Sequence, residues 1–156
     1  MQEPYVINSK LVGIPSSFIT YTAGNDRKRS AIIQNNNKID AIMINQLSDE
    51  DCVVVEVWAN EIKLYAVSIY FDINNDIERD IKKMESILHH ANGSGLIIAA
   101  DTYARSTVWF DCITNQRGGK ARRIHNYQQS VYSIQFNRLD NLQYFTASIH
   151  YRVEEW

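Results

Sequence analysis

Five features of this chain carry groups able to act on an anionic oxygen substrate: Glu3, Tyr70, Asp101, Trp109 and the basic cluster that begins at Arg117. A hard divalent cation takes oxygen ligands, and one or two carboxylates completed by substrate phosphate oxygens are enough to hold it. Cleaving a phosphodiester also needs a group that orients and deprotonates water, and donors or cations that offset the charge building on the phosphoryl oxygens. Glu3 and Asp101 offer carboxylates and Tyr70 a phenolic O–H. Each residue also has a plain reading: a solvated acid, a turn former, a core aromatic with an outward hydroxyl, a packing tryptophan. Residue type does not choose between these readings, so the elements that carry the residues must.

The clearest elements are two runs rich in β-branched and aromatic residues, Cys52–Trp58 and Ile62–Phe71, separated by Ala59-Asn60-Glu61. A spacer of that length makes them neighbouring antiparallel strands. Over 76–91 the period changes: Ile77, Ile81, Met84, Leu88 and Ala91 form one helical stripe. Asn75 can cap its start, Asp76 and Glu78 suit its positive end, and Asn92-Gly93 supplies a stop. His89 and His90 fall in the last turn, where a favourable interaction with the helix C-terminus is the simpler reading than metal binding. Leu96–Ala100 is a continuous apolar run, as in a strand buried on both faces, and it delivers Asp101 at its C-terminal end. Ligands of α/β sheets bind in the crevice beyond such ends. Shorter strands are expected at the end of Val12–Tyr21, at Ala31–Gln34 and at Ala41–Ile44, and a last one at Tyr144–Tyr151. The stretch 120–140 has weak periodicity and yields no definite element.

At 156 residues, 45% apolar and 22% charged, the chain suits one globular domain with a real core. No apolar run approaches the roughly 18–20 residues of a membrane span, the first residues have no signal-peptide core, and Cys52 and Cys112 read as free thiols. Together these imply an intracellular chain, nuclear or cytoplasmic, without a membrane partner. The net charge of −2 hides an asymmetry. Residues 1–116 carry ten Lys/Arg against fifteen Asp/Glu, whereas 117–152 carry six against one. A basic segment of that kind is either a phosphate-binding face or a solvated surface.

The order of the segments narrows the choice. Gln2-Glu3-Pro4-Tyr5, Asp26-Arg27-Lys28-Arg29-Ser30-Ala31, Ala66–Phe71, Leu96–Ser106, Trp109 and Thr114-Asn115-Gln116-Arg117-Gly118 follow one another as blocks. They resemble the endonuclease of insect-type non-LTR retrotransposons, a branch of the endonuclease/exonuclease/phosphatase family. The match covers roughly residues 2–119, and Asp101–Gly118 is its most specific part. The resemblance implies an α/β (α+β) fold, here a partial four-layer sandwich of two mixed β-sheets flanked by helices. It implies Glu3 as ligand of a Mg²⁺ ion, Tyr70 as the phosphate-positioning phenol and Asp101 as the acid that manages the water. Tyr103, Arg105, Trp109, Asn115 and Arg117 then fall on the substrate side, and DNA is the implied partner. Oligomeric state stays open.

Several positions depart from the family pattern. Its phosphate-holding Asn is Tyr103 here, and the Gly before its Asp is Ala100. A phenol cannot copy an amide's donor–acceptor pair. The family's first strand, a later Asp segment and its Ser-Asp-His find no counterpart, and His150 sits in the wrong context. The expected organisation is therefore a family domain over 1–119, truncated at both ends, followed by an unmatched basic segment, 120–156, available to complete the sheet. Removing one preorganised donor costs on the order of 10²–10³ in rate, so a degenerate, weakly active or inactive endonuclease is expected. The alternative is a non-catalytic remnant or nucleic-acid-binding module.

Overall fold

The structure is a computed structural model that describes residues 1–25, 27–35, 38–59, 61–107 and 111–127, together with the backbone of 133–139 and 142–148. In chain order the elements are β1 (Val6–Ile7), β2 (Lys10–Leu11), β3 (Ile19–Tyr21), β4 (Ile32–Gln34) and β5 (Asp40–Met43). A 3₁₀ turn at Asn45–Leu47 leads to β6 (Cys52–Ala59), β7 (Ile62–Tyr70), α1 (Ile77–Ala91) and β8 (Gly95–Asp101). Then follow α2 (Gln116–Tyr127), β9 (Ser133–Leu139) and β10 (Leu142–Ser148).

The centre is a mixed four-stranded sheet in the order β5-β6-β7-β8. β6 and β7 form the expected antiparallel hairpin, with Cys52 opposite Ile69 and Ala59 opposite Ile62. Helix α1 is the crossover to β8, which therefore runs parallel to β7. Pairs β1-β2, β3-β4 and β9-β10 are separate antiparallel ribbons, and β10 lies beside β8.

The apolar stripe of α1 is what docks it. Ile77, Ile81, Met84, Ile87, Leu88 and Ala91 pack onto Cys52 and Val54 of β6, Tyr65, Val67 and Ile69 of β7, and Leu96, Ile98 and Ala100 of β8. Burying one such aliphatic side chain contributes about 1.5–3 kcal/mol, so this face dominates the stability of the core. The helix is capped by Asp76, not Asn75: the Asp76 carboxylate accepts the Glu78 N–H, whereas the Asn75 N–H closes a turn onto the Asp72 carbonyl. At the other end Asn92 takes a left-handed conformation with φ 38° and returns its N–H to Leu88. His89 and His90 lie in the last turn, and the His90 ring meets Tyr65 edge-on at 5.4 Å.

Strand β8 corrects one expectation. Leu96, Ile98 and Ala100 are buried under α1, but Ile97, which points to the other face, is 45% exposed. A continuous apolar run does not separate a one-sided strand from a two-sided one, because both faces carry the same residue type. The weakly patterned stretch 120–140 resolves into most of α2 and β9. Among the described residues no helix is long and apolar enough to cross a membrane.

Candidate active site

The face of the sheet opposite α1 carries Ser68 and Tyr70 on β7 and Ala99 and Asp101 on β8. Tyr70 and Asp101 are direct partners across the parallel pair at its C-terminal end. The N-terminal segment lies across this face. The Ser68 hydroxyl donates to the Met1 carbonyl at 3.1 Å, and the Gln2 side-chain amide donates to the Ala99 carbonyl at 2.9 Å. Met1–Glu3 is held edge-on by the segment before β4: Ala31 N–H reaches Met1 at 2.8 Å, and Glu3 N–H reaches the Arg29 carbonyl at 2.7 Å. Continuing beyond Ser68 and Ala99, the chain brings the Glu3 carboxylate within electrostatic reach of Tyr70 and Asp101. Three segments remote in sequence thus meet at one end of the sheet.

Their electrostatics record the convergence. Burial pushes the Asp101 carboxyl above its ordinary value, the Tyr103 backbone N–H pulls it down, and the neighbouring Glu3 carboxylate pushes it up again. Burial also raises the Tyr70 phenol, helped by a hydrogen bond with the Tyr103 hydroxyl and by the charges of Glu3 and Asp72. Tyr70 is therefore a neutral O–H donor across the physiological range. The Tyr103 ring stands edge-on to Tyr70 at 6.0 Å and is 39% exposed. Glu3 and Tyr103 both adopt left-handed backbone, with φ 46° and 48°. For residues other than glycine that conformation is uncommon and tends to gather at functional sites.

Beneath Tyr70 lies a group that the sequence did not single out. Arg29 is 6% exposed and its guanidinium binds two carboxylates, Asp51 through Nε and Nη2 and Asp72 through Nη1. The same guanidinium lies 5.0 Å from the centre of the Tyr70 ring. Burial alone would lower the arginine pKa, but the hydrogen bonds to Asp51 and Asp72 outweigh it and raise it. Hydrogen bonds from Arg29 and the Asn74 N–H bring Asp72 down to about 2. The block Asp26–Ala31 had marked this region, but a run of charges reads as solvated surface until its burial is seen.

The downstream candidates form a scaffold behind the site. The Asn115 amide accepts from the Arg105 and Gly118 N–H groups at 3.0 and 2.7 Å and donates to the Tyr103 carbonyl at 3.1 Å. It caps α2 and clamps the loop after β8. Arg117 donates to the carbonyls of Asn75 at 2.9 Å, Thr102 at 3.3 Å and Asp72 at 3.3 Å. Gly118 allows the closest approach: a Cβ there would stand 1.8 Å from the Arg105 carbonyl oxygen. Arg105 grips Asp111 in a bidentate pair with contacts of 2.9 and 3.0 Å. Trp109 lies outside the described residues.

The described cations of the basic segment are engaged with neighbouring groups as well. Lys120 pairs with Asp76 at 3.1 Å, and Arg123 bridges Glu78 and Glu85 of α1. Arg122 donates to the hydroxyls of Ser106, Thr107 and Thr114. The acidic and basic halves of the chain thus partly neutralise each other across the α1–α2 contact.

Known proteins resemble the chain in sequence and in fold. No family profile matches the chain. It is 28% identical over 107 residues to the retrovirus-related Pol polyprotein of type-1 retrotransposable element R1 from Bradysia coprophila, a match covering 67% of this chain. That stretch is 11% of the polyprotein. Among solved structures, the endonuclease domain of TRAS1, a telomere-specific non-LTR retrotransposon, superimposes with a TM-score of 0.73 at 20% identity, over 93% of this chain and 67% of that one.

The fold is that of a retrotransposon endonuclease domain.

Within this endonuclease fold the oxygen donors of Glu3 and Asp101 are the kind a hard cation accepts. Among the described residues no set of three His, Cys, Asp or Glu side chains gathers to hold a metal. A cation held by these two carboxylates would take the rest of its shell from water and substrate oxygens.

Proposed function

We propose that the chain carries the hydrolytic site of a Mg²⁺-dependent DNA endonuclease that nicks DNA, acts inside the cell and works well below the rate of a complete site. The observation that carries this reading is the meeting of Glu3, Tyr70 and Asp101 at the end of the β7–β8 pair, from three remote segments. Two carboxylates that repel one another, as Glu3 and Asp101 do, are relieved by a divalent cation. Mg²⁺ bound by them would polarise a phosphate oxygen.

The protein's own groups divide the remaining work. Asp101, half-buried and with raised proton affinity, is suited to take a proton from the attacking water. Tyr70 keeps its proton and donates it as a hydrogen bond to a non-bridging oxygen. Tyr103, in place of an amide, offers a single hydroxyl that is already shared with Tyr70. That substitution is the reason for the low rate expected.

The similarity to the R1 polyprotein and the TRAS1 endonuclease domain supports DNA as the substrate. A supercoiled-plasmid assay in Mg²⁺ tests the proposal, with EDTA and Asp101→Asn beside it. Slow nicking that both abolish is the expected result. Plasmid left intact by the wild-type chain would instead favour a nucleic-acid-binding module without catalysis.

A further inference from the structure

We infer that Arg29 is a positioning residue of this site, holding the Tyr70 phenol and the Glu3 backbone in register through its buried clamp on Asp51 and Asp72. The inference rests on the endonuclease reading and names a part that the reading does not contain. Arg29 touches two of the three segments that build the site, the N-terminal segment and the end of β7. Its carbonyl accepts the Glu3 N–H at 2.7 Å, and its own N–H is tied to the Glu50 carbonyl at 2.7 Å. Its guanidinium lies against the Tyr70 ring and grips the carboxylates that flank the hairpin, Asp51 just before β6 and Asp72 just after β7. The Asp51 carbonyl in turn accepts the Tyr70 N–H at 2.8 Å and the Ser30 hydroxyl at 2.8 Å.

A buried ion cluster adds little net stability over apolar packing of similar volume. What an arginine adds here is geometry: a planar fork can bind two carboxylates from separate segments and still present a flat face to a ring. A lysine is a point charge and cannot do all three. The charge balance fits the task too. One guanidinium against two carboxylates leaves the cluster net negative, so it orients Tyr70 without drawing off the proton that the phenol donates.

The test reads the ring directly, on protein carrying ¹³C-labelled tyrosine rings, with the Tyr70 signal assigned by its loss in Tyr70→Phe. Two variants are compared with wild type: Arg29→Lys, and the uncharged Arg29→Met/Asp51→Asn/Asp72→Asn, which leaves no orphaned buried charge should the lysine variant fail to fold. In either folded variant the Tyr70 signal should move while that of Tyr65, on the opposite face of β7, stays. Mn²⁺ uptake, followed as paramagnetic broadening of the Tyr70 signal, should weaken tenfold or more. A folded variant with Tyr70 signal and Mn²⁺ affinity unchanged would overturn the inference and leave Arg29 as scaffold. Should wild type take up no Mn²⁺ and nick no DNA while the Tyr70 signal still follows Arg29, the clamp stands and the endonuclease reading falls.

Discussion

At Asn115, a candidate substrate contact, and at Gly118, three residues on, backbone of the loop after β8 is tied closely to α2. The Asn115 amide bonds three backbone groups, and Gly118 packs where no side chain fits. Asn115→Ala should lower stability by about 1–3 kcal/mol, combining a lost helix cap with unsatisfied loop N–H groups. Gly118→Ala should lower it by about 3 kcal/mol or more, because the added methyl meets backbone that cannot turn aside. Urea unfolding measures both; if Asn115→Ala were neutral in stability and raised KM instead, the residue would be a substrate contact. The two thiols form a second pair of opposites. Cys52 is buried in the core, and burial pushes its thiol up to about 12, whereas Cys112 is exposed. The thiolate is the reactive form, so a thiol reagent at pH 8 should titrate one cysteine in the native protein and two in guanidinium. Cysteine-to-serine variants should identify the fast one as Cys112.

At the scale of elements, α1 and α2 show which parts of a sequence declare themselves. Helix α1 was legible because one periodicity runs through it and matches its burial pattern, and the hairpin β6–β7 because two β-branched and aromatic runs flank a short spacer. Helix α2 was not: it contains Gly118 and Gly119, and its described buried apolar residues are Ala121 and Ile124. Besides those two residues, its support is the Asn115 cap, whose amide also binds the loop after β8, and its charge pairs with α1, and these long-range contacts are tertiary facts. Those pairs give two cations of the basic segment, Lys120 and Arg123, acidic partners on α1 or at its cap. They are exposed, so Arg123→Ala should cost less than about 1 kcal/mol of stability. It should also leave the salt dependence of DNA binding unchanged, since a side chain engaged with Glu78 and Glu85 releases no counterion from DNA. A fluorescence-anisotropy salt series checks this; a shallower slope in the variant would return Arg123 to the nucleic-acid face. The same limit hid Arg29. Carboxylate and phenol at strand ends could be read from position along the chain, but the partners of a buried arginine come from residues 22 and 43 positions away.

For the molecule as a whole, the ionisable groups pull stability in two directions with pH. Asp72 and Asp111 are held down to about 2 by hydrogen bonds from Arg29 and Arg105 respectively. Their contribution is present above the ordinary carboxylate value and lost as pH falls through about 2. Asp80 behaves oppositely. It sits near the start of α1 beside a cavity of about 200 Å³ also lined by Asp49, Asp51 and Lys83. Its Oδ2 is, among the described residues, the buried side-chain oxygen without a hydrogen-bond partner. Burial raises its pKa to about 6, with Arg117 and Arg79 opposing and the charges of Asp51 and Asp49 adding to the rise. The native state then holds a proton that the unfolded chain has released, so stability falls as pH rises from about 4 to about 6. Taken alone, these three groups favour the fold most just above the ordinary carboxylate value, on the acid side of neutrality. Asp80→Asn removes the descending limb and keeps the ascending one. At pH 7 it should stabilise the protein by about 1–2 kcal/mol, less than the full shift because water reaches part of the group; at pH 4 it should change little. Melting temperatures of wild type and variant across pH 3–8 decide it. Curves that stay parallel over the whole range would mean that Asp80 is ionised in the fold and that its orphan oxygen is answered by solvent in the cavity.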